Sequence, residues 1–228
     1  MSVKNFVASS KHFPGFAFKV GELVKVPPQQ AIEQAQRMRK NFGLDEALLN
    51  SRLHGRVDIE DLLDRILVKR KKHEFEIEQM NFDQVEESLG VLGVTLNPAD
   101  PYDLLVFFSS KMASFIISPN LAQMHPEDKN LALALGIAFI SLGQIDAFKG
   151  QGVLIHSLDE VFEKTEYLPA LHFVVHLLLP AYQLDKYRDP QKDPEGLAAR
   201  TRVSRHYQVP VELVDLAFQL HGRNMKQC

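Results

Sequence analysis

Leu131-Ala-Leu-Ala-Leu-Gly-Ile-Ala-Phe-Ile-Ser-Leu142 is the stretch on which the reading of this chain turns, because no side of a helix drawn through it is polar. A surface helix keeps a polar stripe for solvent, so one that is apolar all round belongs inside a core. The run is well short of the roughly 20 residues that a membrane-spanning helix needs. The rest of the chain is therefore expected to wrap around it.

Upstream, Leu104-Leu-Val-Phe-Phe108 and Ala113-Ser-Phe-Ile-Ile-Ser118 flank a short polar segment, and their β-branched and aromatic content predicts a hairpin. His73-Glu-Phe-Glu-Ile-Glu-Gln-Met80 alternates polar and apolar, which predicts a strand with one wet face. A short helix is expected from Asn81 or Asp83 through Glu87, closed by Gly90 and Gly93. Earlier still, Ala31, Ala35, Met38 and Phe42 mark an amphipathic helix from Gln29 to about Leu49, broken near Gly43. Ile59, Leu62, Leu63, Ile66 and Leu67 mark a second helix that runs to about Lys69.

Downstream, Gly143 to Gly152 reads as a loop, and Val153-Leu-Ile155 as a short apolar piece. Ser157-Leu-Asp-Glu160 has the spacing of a capping box. Pro169 breaks or restarts the helix that follows, and Ala170 to Leu179 is a helix ended by Pro180. Two final helices are expected, about Gly196 to Tyr207 and Pro210 to Leu220.

The bulk numbers fit an ordinary globular chain: 228 residues, 45% hydrophobic and 24% charged. A formal net charge of -3 and a pI near 6.3 give no global pull toward nucleic acid. The single cysteine, Cys228, excludes an internal disulfide and a cysteine zinc knuckle, which suits a reducing, cytoplasmic setting. The amino terminus does not read as a secretory signal, and no run is long enough for a membrane span.

Several constellations resemble chemistry and are better read as structure. Lys69-Arg-Lys-Lys-His73 follows a helix end, where cations suit the dipole, and it lacks aromatic residues for stacking bases. His156, Ser157 and Asp159 are neighbours in sequence, and sequence proximity does not supply triad geometry. His172-Phe-Val-Val-His176 has the i, i+4 spacing of two metal ligands, but the position after the first histidine is Phe173, which cannot activate water. Two histidines one turn apart are more often hydrogen-bonded structural residues. The last two helices have the outline of a DNA-reading pair, yet Glu212 and Asp215 open the second one and would repel phosphates.

The order of elements from about residue 30 to 220 resembles the ImmA/IrrE metallopeptidase family. Ile117-Ser-Pro-Asn-Leu121 and Pro126-Glu127 stand where that family has a strand ending in Asn-Ser-Asn-Leu and a Pro-Glu turn before its active helix. Phe173-Val-Val-His-Leu-Leu-Leu-Pro180 is similar to the family's Phe-Ala-Ala-Glu-Leu-Leu-Met-Pro, and Ser204 to Val214 resembles its helix-turn-helix-like pair. Placing the family's glycine on Gly136 sets its two zinc-binding histidines and catalytic glutamate on Leu133, Ile137 and Ala134, none of which binds zinc or takes a proton. The third ligand position falls near Pro169, with Glu166 the closest acid.

The resemblance implies an α+β fold, with a small, mainly antiparallel sheet, a central buried helix and surrounding helices, in a zincin-like domain. It divides the chain into an extension at 1–28, a pseudo-peptidase domain at 29–184 and a helical pair at 185–228. Family members act with helix-turn-helix repressors of phages, mobile elements or stress regulons. A version without zinc ligands is expected to be a non-catalytic regulatory protein that binds another protein, such as a repressor or a toxin-antitoxin component. It needs no cofactor or metal. The alternatives are a divergent zinc peptidase using His172 and His176, with Glu163 or Glu166 as the added acid, and a DNA-binding regulator using the carboxy-terminal helices.

Overall fold

A computed structural model describes residues 23–45, 56–69, 74–79, 103–108, 112–117, 125–143, 152–155, 157–187 and 196–224. The helices are α1 (Pro28–Asn41), α2 (Ile59–Lys69), α3 (Pro126–Ser141), α4 (Glu160–Glu163), α5 (Leu168–Leu178), α6 (Ala181–Leu184), α7 (Leu197–Tyr207) and α8 (Val211–Asn224), with 3-10 turns at Thr165–Tyr167 and Asp185–Tyr187. The strands are β1 (Glu74–Gln79), β2 (Leu104–Phe108), β3 (Met112–Ile117) and β4 (Gly152–Ile155).

The apolar stretch forms α3, and every residue from Leu131 to Phe139 is buried. Pro126 starts the helix without wasting a hydrogen bond, and Glu127 and Asp128 in its first turn suit the positive end of the dipole. Burial of a side chain the size of Leu133 or Phe139 stabilises the fold by roughly 1.5–3 kcal/mol each.

A second hub is α5, which packs on α1, α3, α4 and α8. Its sequence explains this role: seven of its eleven residues are buried, and only its two histidines and its amino-terminal turn reach toward solvent. Its most extensive partner is α1, whose buried face is built from Ala31 and Ala35, both 0% exposed. Small side chains there let the two backbones approach closely. Pro169 lies in the first turn of α5, as expected of a proline that restarts a helix. Gly43, at φ 59°, takes the left-handed conformation that ends α1.

The α+β, zincin-like expectation is corrected by this architecture. The described residues are mostly helical, and α1, α2, α3, α5, α7 and α8 supply most of the buried side chains among them. The strands are only four to six residues long, and their described contribution to the core is Leu104, Val106, Val153 and Ile155. Their order is β1-β3-β2-β4. β2 runs antiparallel to β3, with Leu104 opposite Ile117, and to β4, with Leu104 opposite Ile155, whereas β1 runs parallel to β3. Alternation and β-branched content mark where strands lie but not how much of the core they carry. That share depends on how many apolar faces the helices already bury against one another.

Other expectations are refined locally. Ser157 does not form a capping box: Asp159 caps α4 with no side-chain bond, and its own N–H donates to Ser157 Oγ at 3.3 Å. The Leu158 N–H instead donates to Asp103 Oδ2 at 2.8 Å, tying the turn to the start of β2. The last helix is longer than expected, reaching Asn224. The expected helix at 81–87, the basic run beyond Lys69 and the segment from Leu49 to Gly55 lie outside the described residues.

No single helix among the described residues is long and apolar enough to cross a membrane. The pair 165–178 and 181–187 passes that test only jointly, bent by 59°, and most of its apolar side chains are packed in the core.

Candidate functional site around the apolar and histidine helices

On α3, the three positions that the family resemblance equates with its zinc-binding histidines and glutamate are sealed. Leu133 and Ala134 are 0% exposed and Ile137 is 2% exposed. A side chain that ionises there would be stripped of water, at a cost of several kcal/mol without a partner. The helix sits against α2, α5, β2 and β3.

The two histidines of α5 are half-buried and lie one turn apart. His176 Nδ1 is 2.8 Å from the backbone oxygen of His172. Since a carbonyl only accepts, that nitrogen carries the hydrogen. Burial and, secondarily, the like charge of His176 push His172 below the ordinary histidine range. Burial pushes His176 down as well, against the raising effect of its bond to the His172 carbonyl. His172 Nδ1 is buried and makes no hydrogen bond.

A third histidine joins them from α8. His221 is 7% exposed, its ring lies 5.1 Å from that of His176 at 70°, and its Nε2 is 3.1 Å from the Leu179 oxygen. Its position was readable in outline, because Leu213, Ala217 and His221 recur every fourth residue along one helical face. Glu163 and Glu166, the acids proposed to complete a metal site, are exposed on α4 and the 3-10 turn. Among the described residues no three His, Cys, Asp or Glu side chains converge in a group able to hold a metal ion.

A polar network that the sequence reading missed joins the carboxy-terminal end of α5 to α1, α6 and α7. Arg39 is 4% exposed and donates from Nη1 to the Leu177 oxygen, one of the unsatisfied carbonyls at the end of α5. Its Nε donates to Asp45 Oδ1 at 3.0 Å, and the Tyr182 hydroxyl donates to the same oxygen at 2.9 Å. Gln183 Nε2 donates to the Tyr182 oxygen at 3.1 Å, and the Tyr207 hydroxyl donates to Gln183 Oε1 at 2.5 Å. Burial alone would raise the Asp45 carboxyl, but hydrogen bonding and charge from Arg39, with the Tyr182 hydroxyl, hold it below its ordinary range.

In the carboxy-terminal pair, α7 and α8 are joined through Gln208, which is left-handed at φ 51°. Ser204 Oγ donates to the Val209 oxygen at 2.8 Å, and the Val209 N–H returns to the Ser204 oxygen at 3.2 Å, which fixes the turn. The arginines that would meet nucleic acid are partly used internally. Arg200 Nε pairs with Asp215 Oδ1 at 2.8 Å, and Arg202 donates to the Ala198 and Tyr187 oxygens. Glu212, in the first turn of α8, is exposed.

A polar cleft of about 480 Å³ opens where the starts of α2 and α3 meet the α7–α8 turn. Its charges are largely answered within it: Lys129 pairs with Glu60 at 2.6 Å, Asp58 accepts from the Asp61 N–H at 3.0 Å, and Asn130 Nδ2 donates to the Gln208 oxygen at 3.0 Å. No family model, no curated protein and no solved structure matches the chain.

Proposed function

We propose that this chain is a non-catalytic regulatory protein of the cytoplasm that acts by binding another protein. The partner class that its ImmA/IrrE resemblance implies is a helix-turn-helix repressor or a toxin-antitoxin component. The observation that carries the reading is the sealing of Leu133, Ala134 and Ile137 in the core, where a peptidase of that family would need its metal and its base. The histidine row on α5 supports it further, since Glu163 and Glu166, the acids proposed to complete a metal site there, are exposed on α4 and the 3-10 turn. The single cysteine, at the end of the chain, fits a reducing compartment.

Affinity capture with the full chain in its native host, followed by incubation of the purified pair, tests both halves of the proposal. A stoichiometric partner that stays full length over hours is the expected result. A partner cut into fragments would overturn the non-catalytic half, and the absence of any stoichiometric partner would overturn the binding half.

A further inference from the structure

The cleft between the start of α2, the start of α3 and the α7–α8 turn, about 480 Å³, is large enough to hold a side chain brought by another molecule. Most of its charges cancel in pairs. Lys129 meets Glu60 at 2.6 Å, and Asp58 accepts from the Asp61 N–H in the first turn of α2, where the helix dipole favours a carboxylate. Arg56 is the exception. It lines the cleft half-buried and, among the described residues, makes no hydrogen bond or ion pair. A guanidinium so placed presents a planar fork of donors whose geometry matches a carboxylate.

Gln208 adds a second unused donor. Its backbone oxygen takes the Asn130 amide at 3.0 Å, but its side-chain amide, half-buried at the same cleft, makes no hydrogen bond among the described residues. Its φ of 51° lies in the region that glycine adopts most readily, so the glutamine side chain destabilises the turn that carries it. The two free donors, Arg56 before α2 and Gln208 after α7, face one cavity from different elements.

We propose that Arg56 and Gln208 form a docking site for a carboxylate side chain, a glutamate or aspartate, carried by a protein partner. This rests on the binding function proposed above and gives that function a place on the molecule. One unanswered positive charge matches the single charge of a carboxylate. A phosphate monoester, with a charge of about −1.5 to −2 at pH 7, brings its surplus charge against the exposed Asp58 and Glu60. A nucleic-acid backbone meets the same two acids with a row of phosphates.

Amide NMR of the full chain, titrated with an acetylated and amidated peptide carrying one glutamate among alanines and with its glutamine and phosphoserine counterparts, is the test. The glutamate peptide is expected to give saturable shifts at Arg56, Lys129 and Gln208 and to bind more tightly than either counterpart. Arg56→Gln is expected to weaken it about threefold or more. Gln208→Gly is expected to weaken it as well while raising the stability of the fold, a combination that a purely structural glutamine does not give. The site is overturned by the absence of saturable shifts at the cleft, by equal binding of the glutamine peptide, by tighter binding of the phosphoserine peptide, or by undiminished binding in either variant. The peptide is read without the partner, so this result is separate from partner capture. A captured partner held as tightly by Arg56→Gln as by the native chain overturns the site and not the binding function.

Discussion

Arg39 shows how one residue ties distant parts of this molecule together. Its guanidinium is buried, yet it serves the Leu177 oxygen at the end of α5 and the Asp45 carboxylate after α1 at the same time. Arg39→Leu leaves that carbonyl without its donor and half-exposed Asp45 without its counter-charge, so a loss of about 2–3 kcal/mol in urea unfolding is expected. Arg39→Lys should recover only part of it, because an ammonium lacks the planar fork that reaches both acceptors. The pH dependence has a definite sign. The folded Asp45 carboxyl lies below its ordinary 3.8, so its contribution is present above that value and fades as pH falls through the folded range. In Arg39→Leu, that part of the acid sensitivity should disappear. The sequence contained the signal, since Ala31, Ala35 and Arg39 recur at intervals of four on one helical face. The usual expectation that a charged side chain seeks water hid it.

At the scale of elements, α3 was the most legible part of the chain, because twelve positions without a polar face leave a helix nowhere to go but inward. The same burial closes these positions of α3 to a metal site. Installing Leu133→His, Ala134→Glu and Ile137→His together is expected to abolish or severely weaken folding, as it puts three polar groups where 0–2% of the surface is accessible. Circular dichroism and thermal unfolding read this directly. A folded, zinc-binding triple variant would mean that α3 can face an open cleft. The α7–α8 turn offers an opposite case. Gln208 holds φ 51° without being glycine, so Gln208→Gly should stabilise the fold by about 0.5–1 kcal/mol in urea unfolding while keeping the carbonyl that Asn130 uses. The capping-box spacing at Ser157 misled for a related reason: Asp103, just before β2, takes the Leu158 N–H, a partner that local sequence does not contain.

For the whole molecule, helix periodicity revealed most of the helices, while the balance between helices and strands was hidden. Alternation marked one strand and β-branched and aromatic content two more, but that the described residues are mainly helical was not written in those local patterns, because it follows from helices such as α1, α5 and α8 packing on one another. The convergence of His176 with His221 was hidden for the same reason, since 45 residues of chain separate two side chains whose rings sit 5.1 Å apart. The function proposed for the whole molecule is binding without a peptidase centre. Elemental zinc content of the purified, untagged protein, with a His172→Ala/His176→Ala variant alongside, tests that claim most directly. No stoichiometric zinc in either preparation is the expected result, whereas one zinc per chain that disappears in the double variant would contradict the proposed function and restore a hydrolase as the reading to pursue.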